Sequence, residues 1–402
     1  MVTIVDGKKR IPYMRGMLVY YLLARGFAQD EAYDVADAVR RALSKRKSVT
    51  KKEVVQLIDR FIHGRYGERP VGDLVFWERL PTNITVERRD GSWPFSKEVL
   101  SRSIQASGLP PDQAYKLART VESMLIDQRR SRIAHRELRR MVEFVLEQQH
   151  GPDYAERYRV WRTWGDLDRP LIILIGGASG VGKTSLAISL AHVLDIPRVV
   201  ATDDIRQVMR LMLSPALMPA IHTSSYTAWS QITVPSSSGM DPVVTGFREQ
   251  AKIVSVGVRA ILSRCLEELT SVIIDGVHLL PDFIDTALHA KSGFLVQLGL
   301  SLEDRKAYEK RFAQRATASP ARPRHRYMAN LEEILKIQEH IVACHALRNL
   351  PVIDTQSVPD VTSAAVMVVV EQLQEQEEVR RALQAPRKKG KRKRKARAKR
   401  KG

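Results

Sequence analysis

At 402 residues, 44% of them hydrophobic, the chain is long enough for two or three domains with buried cores, which excludes wholesale disorder. Its net charge of +20 looks like a nucleic-acid footprint, yet twelve of those charges lie in Arg387–Gly402, and the remaining +8 suits a binder of small polyanions. Two distant cysteines, Cys265 and Cys344, exclude a disulfide framework, and no uncharged apolar run approaches the roughly twenty residues of a membrane span.

Met1–Asp6 has no basic region followed by an apolar stretch, so no signal peptide is expected and the cytoplasm is the expected location. Next comes an internal repeat. Gly26, Phe27, Asp30, Ala32, Tyr33, Ala36, Val39 and Leu43 are echoed 82 residues later by Gly108, Leu109, Asp112, Ala114, Tyr115, Ala118, Val121 and Leu125. Further pairs follow at an offset of 84, among them Val49 with Ile133 and Glu53 with Glu137. Each copy reads as a short β turn and several amphipathic helices, so 1–65 and 84–160 are expected to be two related small domains. The joining segment, Tyr66 to Asn83, holds Pro70 and Pro81, and Tyr158 to Trp164 reads as an aromatic, basic hinge.

Beyond Pro170 the composition changes. Continuous apolar runs at Leu171–Ile175, Arg198–Ala201, Ser271–Ile274, Phe294–Leu300 and Pro351–Ile353 alternate with helical stretches. That alternation predicts an α/β domain over 168–380, a doubly wound parallel sheet. Residues 386–402 are almost all Lys, Arg, Gly and Ala, cannot bury a core, and are expected to form a disordered basic tail making weak, non-specific polyanion contacts.

The chemistry starts after the first run. Gly177-Ala178-Ser179-Gly180-Val181-Gly182-Lys183-Thr184 fits the phosphate-cradling pattern G-x-x-x-x-G-K-[ST], with a strand before it and a helix from Ser185 after it. Gly177, Ser179, Gly180, Val181, Gly182, Lys183, Thr184 and Ser185 are therefore the expected nucleotide contacts, Lys183 reaching the β- and γ-phosphates and Thr184 ligating Mg²⁺. The second run ends in Thr202-Asp203-Asp204, with Arg206 and Arg210 one helical turn apart. Strand ends face the ligand crevice in open α/β sheets, so the two aspartates point to phosphoryl transfer and the two arginines to an anionic substrate. The bland reading is an N-cap followed by a solvated basic stripe. Ser214 to Asp241 is a loop rich in Ser, Pro and Thr, and its His222, Ser224, Ser225 and Tyr226 either read a carboxylate or phosphate or simply meet solvent. Asp275 ends the third run, where it can serve the metal; His278 either lines the site or is structural. Arg311, Arg315, Arg322, Arg324 and Arg326 form either a mobile lid over the nucleotide or a basic surface loop.

These blocks and their order, from Ile175–Thr184 through Thr202–Arg210, His222–Tyr226, Gly246–Gln250, Asp275–His278 and Arg322–Tyr327 to Ile334–Gln338, resemble the 2-phosphoglycerate kinases. The resemblance covers about Pro170 to Asp354. It implies a P-loop, nucleotide-kinase-like fold and transfer of the γ-phosphoryl group of ATP to 2-phosphoglycerate. Asp203 or Asp204 would then orient the attacking hydroxyl, and Arg206 and Arg210 would hold the acceptor. The family pattern often has Glu at the position of Asp275, a departure that keeps the charge. Residue spacing alone does not separate 2-phosphoglycerate from other small phosphorylated acids or polyols.

The amino-terminal repeat resembles the ATP-cone domain. In the second copy Val86-Glu87-Arg88-Arg89-Asp90-Gly91 matches its basic hairpin, which implies nucleotide contacts from Arg88 and Arg89, with Arg159 near the copy's end. In the first copy Lys8, Lys9 and Arg10 follow the Asp6-Gly7 pair instead of preceding it, which marks a degenerate copy. A second function class stays open at this point: a nucleotide-responsive regulator or RNA-associated NTPase tethered by its tail.

Overall fold

A computed structural model of the chain describes all residues except 1, 7–8, 14, 25–26, 45, 68–83, 89–90, 129, 168, 233–238, 240, 285–291, 319–323 and 385–402. The chain divides into two units, residues 1–105 with 109–156 and residues 106–108 with 157–402.

The first unit contains the same small fold twice. In the first copy β1 (Thr3–Asp6) and β2 (Lys9–Pro12) form a hairpin, followed by α1 (Arg15–Ala24), α2 (Gln29–Leu43), β3 (Ser48–Thr50) and α3 (Lys51–Tyr66). The second copy runs β4 (Thr85–Glu87), β5 (Ser92–Pro94), α4 (Lys97–Gln105), α5 (Pro111–Asp127), β6 (Arg132–Ala134) and α6 (His135–His150). Sheet orders β2-β1-β3 and β5-β4-β6 match, with an antiparallel hairpin and one parallel partner in each. The repeat is therefore structural as well as sequential. Its third strand had no signal of its own in the sequence. It is three residues long, too short for a period-2 pattern, and exists because its backbone pairs with β1 or β4.

Tyr158 to Trp164, read above as a hinge, belongs to helix α7 (Pro152–Trp164). Pro152 opens the helix, where a missing N–H costs nothing, and the three-residue spacing of Ala155, Tyr158 and Trp161 puts buried side chains on one face. A regular helix satisfies the backbone there, so the hinge reading is corrected.

The second unit is an α/β domain. Its strands are β7 (Leu171–Gly177), β8 (Val199–Ala201), β9 (Val272–Gly276), β10 (Phe294–Ser301) and β11 (Val352–Asp354), all parallel, in the order β11-β10-β7-β9-β8. Its helices are α8 (Lys183–Leu194), α9 (Thr202–Met212), α10 (Pro242–Glu267), α11 (Arg305–Ala318), α12 (Arg324–Met328), α13 (Leu331–Ala346), α14 (Val361–Glu375) and α15 (Glu377–Gln384). Successive side chains of β7 serve opposite faces, as strand geometry requires. Ile173 and Ile175 join Leu186, Leu190, Ile334, Ile337, Val366 and Val370. Ile172 and Leu174 join Ile205, Val254, Val258 and Leu262 on the other face. Burying each such side chain is worth about 1.5–3 kcal/mol, so helices on both faces hold the sheet together. Because β7 lies between β9 and β10, the strand order reverses at its carboxyl end, and the crevice opens there. No helix among the described residues is long and apolar enough to cross a membrane.

Candidate active site

The crevice is built first by the loop between β7 and α8. Gly177, Gly180 and Gly182 all take positive φ, at 151°, 96° and 96°. Gly180 is also needed for closeness, since a Cβ there would stand 2.7 Å from the Phe312 ring on α11. The loop wraps back so that Lys183 Nζ donates to Ala178 O at 2.7 Å. Thr184 Oγ1 donates to Asp275 Oδ2 at 2.8 Å, joining two residues 91 apart in sequence. Asp275 is the penultimate residue of β9, in register with Ile175 of β7 and Ala201 of β8, so three strand ends converge on this pair.

Asp275 is 2% exposed, and its Oδ1 has no hydrogen-bond partner among the described residues. Burial raises its carboxyl, Thr184 and Lys183 pull the other way, and Asp203 and Asp204 push it up again. Asp203 and Asp204 thus lie near enough to act on Asp275, although the three acids do not close into one metal-holding cluster among the described residues. The oxygens of Thr184 and Asp275, with Asp275 Oδ1 unpartnered among the described residues, suit a hard divalent cation.

Asp203 and Asp204 occupy the first turn of α9, where the helix dipole favours acids. For Asp203 burial acts upward, but His278, Arg206 and Lys183 together hold the carboxyl below its ordinary value. Asp203 is thus ionised at neutral pH and lies within the field of the loop lysine. Arg206 Nε donates to Asp203 Oδ1 at 3.4 Å, while its Nη1 donates to Ile221 O at 3.0 Å and Thr223 O at 2.9 Å. Arg206 therefore holds the next loop as well as the acid. Arg210 is bonded within its own helix, Nη1 donating to Gln207 Oε1, so the two arginines do not form a matched pair.

The stretch after α9 is more ordered than a solvated loop. Two 3₁₀ turns, Pro219–His222 and Ser225–Gln231, bury Ala220, Ile221, Ser225 and Tyr226. His222 Nε2 lies 2.8 Å from Leu213 O, so the ring serves the loop's own backbone. Ser224 is the hydroxyl that meets a cation, accepting at Oγ from Arg326 Nη2 at 2.8 Å. Arg326 belongs to α12, whose neighbour Tyr327 stacks on Phe312 at 4.8 Å and lies 6.1 Å from Tyr226. On α11, Arg311 Nη1 donates to Val181 O at 2.9 Å, and burial lowers its guanidinium's affinity for the proton. Helices α11 and α12 thus touch both the glycine-rich loop and the loop after α9. Arg322 lies outside the described residues, as do the side chains of Arg315 and Arg324 and the tail at 386–402.

Two polar residues here were not singled out for a role from sequence. Gln250 and Gln338 both interrupt apolar helical stripes, beside Phe247 and Ala251 and beside Ile334 and Ile337. A buried glutamine on such a stripe is the signal that would have found them. Gln338 ties α13 to the start of α11: its Oε1 accepts from Leu302 N and Tyr308 Oη, and its Nε2 donates to Leu302 O. Arg326 was read only as one arginine of the lid or surface loop, and its bond to Ser224 had no sequence signal.

His278 is 1% exposed, and the structure places it in the site's floor, bonded to Thr202 and Gln250. Burial holds its imidazole down at about 4, with Asp203 pulling up and Arg206 and Lys183 pushing further down. Since the unfolded ring titrates near 6.5, the unfolded state binds more protons between those values, and stability should rise with pH across that window. The contribution reaches about 3 kcal/mol, lost as pH falls from 6.5 towards 4. Urea denaturation at pH 4.5 and 6.5 should show a smaller difference for His278→Asn than for the wild type.

In the second copy of the amino-terminal fold, Arg88 lies over the Trp93 ring, 5.4 Å from its centroid, in the β4–β5 hairpin. Arg89 lies outside the described residues. Residues 84–167 match the family model for the ATP cone domain. Among curated proteins, the 2-phosphoglycerate kinase of Methanococcus vannielii is 37% identical over 298 residues, covering 73% of this chain and 94% of its own. Those of Methanopyrus kandleri and Pyrococcus furiosus are 35% and 36% identical, covering 72% and 67% of this chain and 88% of each relative. With the glycine-rich loop, the Thr184–Asp275 pair and the acid-bearing α9 at the switch point of the sheet, the chain belongs to the 2-phosphoglycerate kinase family.

Proposed function

We propose that this protein transfers the γ-phosphoryl group of ATP to the free 3-hydroxyl of 2-phosphoglycerate, giving ADP and 2,3-bisphosphoglycerate. One observation supports the reading above the rest. An ionised Asp203 lies in the field of Lys183, and its partner Arg206 holds a separate, hydroxyl-bearing loop. A plain nucleotide switch has no use for that second half. The names of the curated relatives point to the same substrate.

Backbone amides of Gly177–Gly182 and the N-terminus of α8 cradle the phosphates, and Lys183 swings from Ala178 O to the β- and γ-phosphates. Thr184 and Asp275, with its free Oδ1, would hold Mg²⁺, which when bound offsets the phosphate charge. An Asp203 carboxylate oxygen accepts the hydrogen bond of the acceptor hydroxyl, orienting it in line and taking its proton as the bond to phosphorus forms. Asp204 adds negative charge on the same turn. Arg206 and Arg326, with Ser224 between the lid and the loop, receive the acceptor's phosphate and carboxylate. Arg311 brings a cation to the glycine-rich loop from the lid side, and closure of the lid excludes water. A metabolite kinase of this kind works where ATP is plentiful, which favours the cytoplasm.

The test is ADP release from ATP across a panel of phosphorylated acids and polyols, with the product identified by ³¹P NMR. The reading requires the highest kcat/KM for 2-phosphoglycerate. ATP consumption that needs RNA, or no acceptor at all, would move the protein to the regulator class. Arg206→Ala should raise the KM for the acceptor about ten- to a hundredfold while the KM for ATP changes little, because a charge-assisted contact is worth roughly 1.5–3 kcal/mol. Equal weakening towards both substrates would take Arg206 out of the acceptor site.

For residues 84–167 we infer a second ATP site that uses Arg88 and Arg89. Calorimetry on full-length Lys183→Ala should detect it. Absence of any nucleotide binding beyond the damaged glycine-rich loop would leave the repeat as scaffolding.

A further inference from the structure

Helix α10 comes unusually close to the loop after α9. A Cβ at Gly246 would lie 2.3 Å from both Trp229 N and Trp229 Cα, so only glycine lets the two backbones meet. One turn further along the same helix stands Gln250, fully buried. Its Nε2 donates to Ala220 O at 2.5 Å and to Thr223 O at 3.2 Å. Its Oε1 lies 3.0 Å from His278 Nε2, and His278 Nδ1 lies 2.8 Å from Thr202 Oγ1.

The polarity of this chain follows from its end. Both N–H groups of Gln250 point at carbonyls, so its oxygen must accept from His278 Nε2–H. The neutral ring then accepts at Nδ1 from the Thr202 hydroxyl. Every position in the series from Thr202 through His278 and Gln250 to the two carbonyls is filled, and all three side chains are at most 1% exposed. Buried networks satisfied throughout are rigid. Arg206 closes the ring from the other side, on Ile221 O and again on Thr223 O. The loop itself belongs to no sheet and to no long helix, so these side-chain donors set its place. At the far end of the chain, Thr202 immediately precedes Asp203.

We infer that Gln250 is a positioning residue for the acceptor: through His278 and Thr202 it locks the 219–226 loop to the Asp203 end of α9. The acceptor hydroxyl and the carboxylate that orients it are thereby held in one register. The inference rests on the kinase reading above and adds a residue that does not itself touch substrate. A purely structural glutamine, filling its place in the core, is the competing explanation.

Kinetics of the full-length chain separate the two. Gln250→Met keeps the volume and removes every hydrogen bond; Thr202→Val cuts the other end of the chain and leaves Gln250 in place. Each variant should raise the KM for 2-phosphoglycerate about tenfold with the KM for ATP changed by less than about twofold. The double variant should be no worse than the poorer single, because both interrupt one series. If Gln250→Met does not fold, Thr202→Val alone decides. A lowered Tm with unchanged acceptor KM, parallel rises in both KM values, or multiplying effects in the double variant would overturn the inference while the kinase reading stands. A wild-type protein that does not phosphorylate 2-phosphoglycerate would overturn both.

Discussion

Lys183→Ala should cut kcat by about two to three orders of magnitude while leaving the fold intact, the loss typical when one preorganised charge is removed from a transition state. The side chain is half-buried and makes a bond to Ala178 O across the loop, so its removal leaves no cavity in the core. What disappears is the mobile cation of the site. The same substitution takes away a charge that lowers the Asp275 and Asp203 carboxyls, so cation affinity should weaken in parallel. ADP release at saturating ATP, with circular dichroism as a control for folding, gives the answer. Activity above about a tenth of wild type would remove the glycine-rich loop from the chemistry.

Gly276→Ala should damage both stability and turnover. Gly276 ends β9 opposite Gly176 of β7, and a Cβ on it would lie 1.7 Å from Thr202 Oγ1 and 2.6 Å from Thr202 Cβ. Neither side can yield easily. Thr202 is fully buried, bonded to His278, and directly follows Ala201, which pairs with Asp275. Overpacking of this kind costs about 1–3 kcal/mol, which lowers the Tm by several degrees. It also pushes Asp203 away from the loop lysine, so kcat/KM should fall about tenfold or more. Adding Thr202→Ala removes the nearest atom and should recover part of the stability. An unchanged melting curve for Gly276→Ala would show that the strand ends are looser than this packing implies.

Much of the site was legible along the chain because its signals are local. Gly177–Thr184 is a contiguous pattern whose glycines, lysine and threonine each have a chemical reason. The apolar runs that became β7, β9 and β10 needed no partner to be recognised, since strands covered on both faces are apolar at every position. The repeat showed itself through fixed offsets, and the structure adds only its short third strand. Less was legible where the pattern was mixed. The basic and aromatic residues of Tyr158–Trp164 hid a helix whose buried face is only one residue in three.

By itself, then, the amino-acid order determined the two related small folds, the parallel α/β domain, the phosphate loop and the acids at the strand ends. Only the tertiary structure decided which distant residues meet: the Thr184–Asp275 bond spans 91 residues, and Thr202–His278 spans 76. It also turned Arg206 towards a loop and Arg210 along its own helix, although the two stand one turn apart with the same charge. The physical reason lies in burial. Gln250 shows in the sequence only as a break in an apolar stripe and His278 not even as that, and their partners are set when the sheet closes and buried donors and acceptors must be paired.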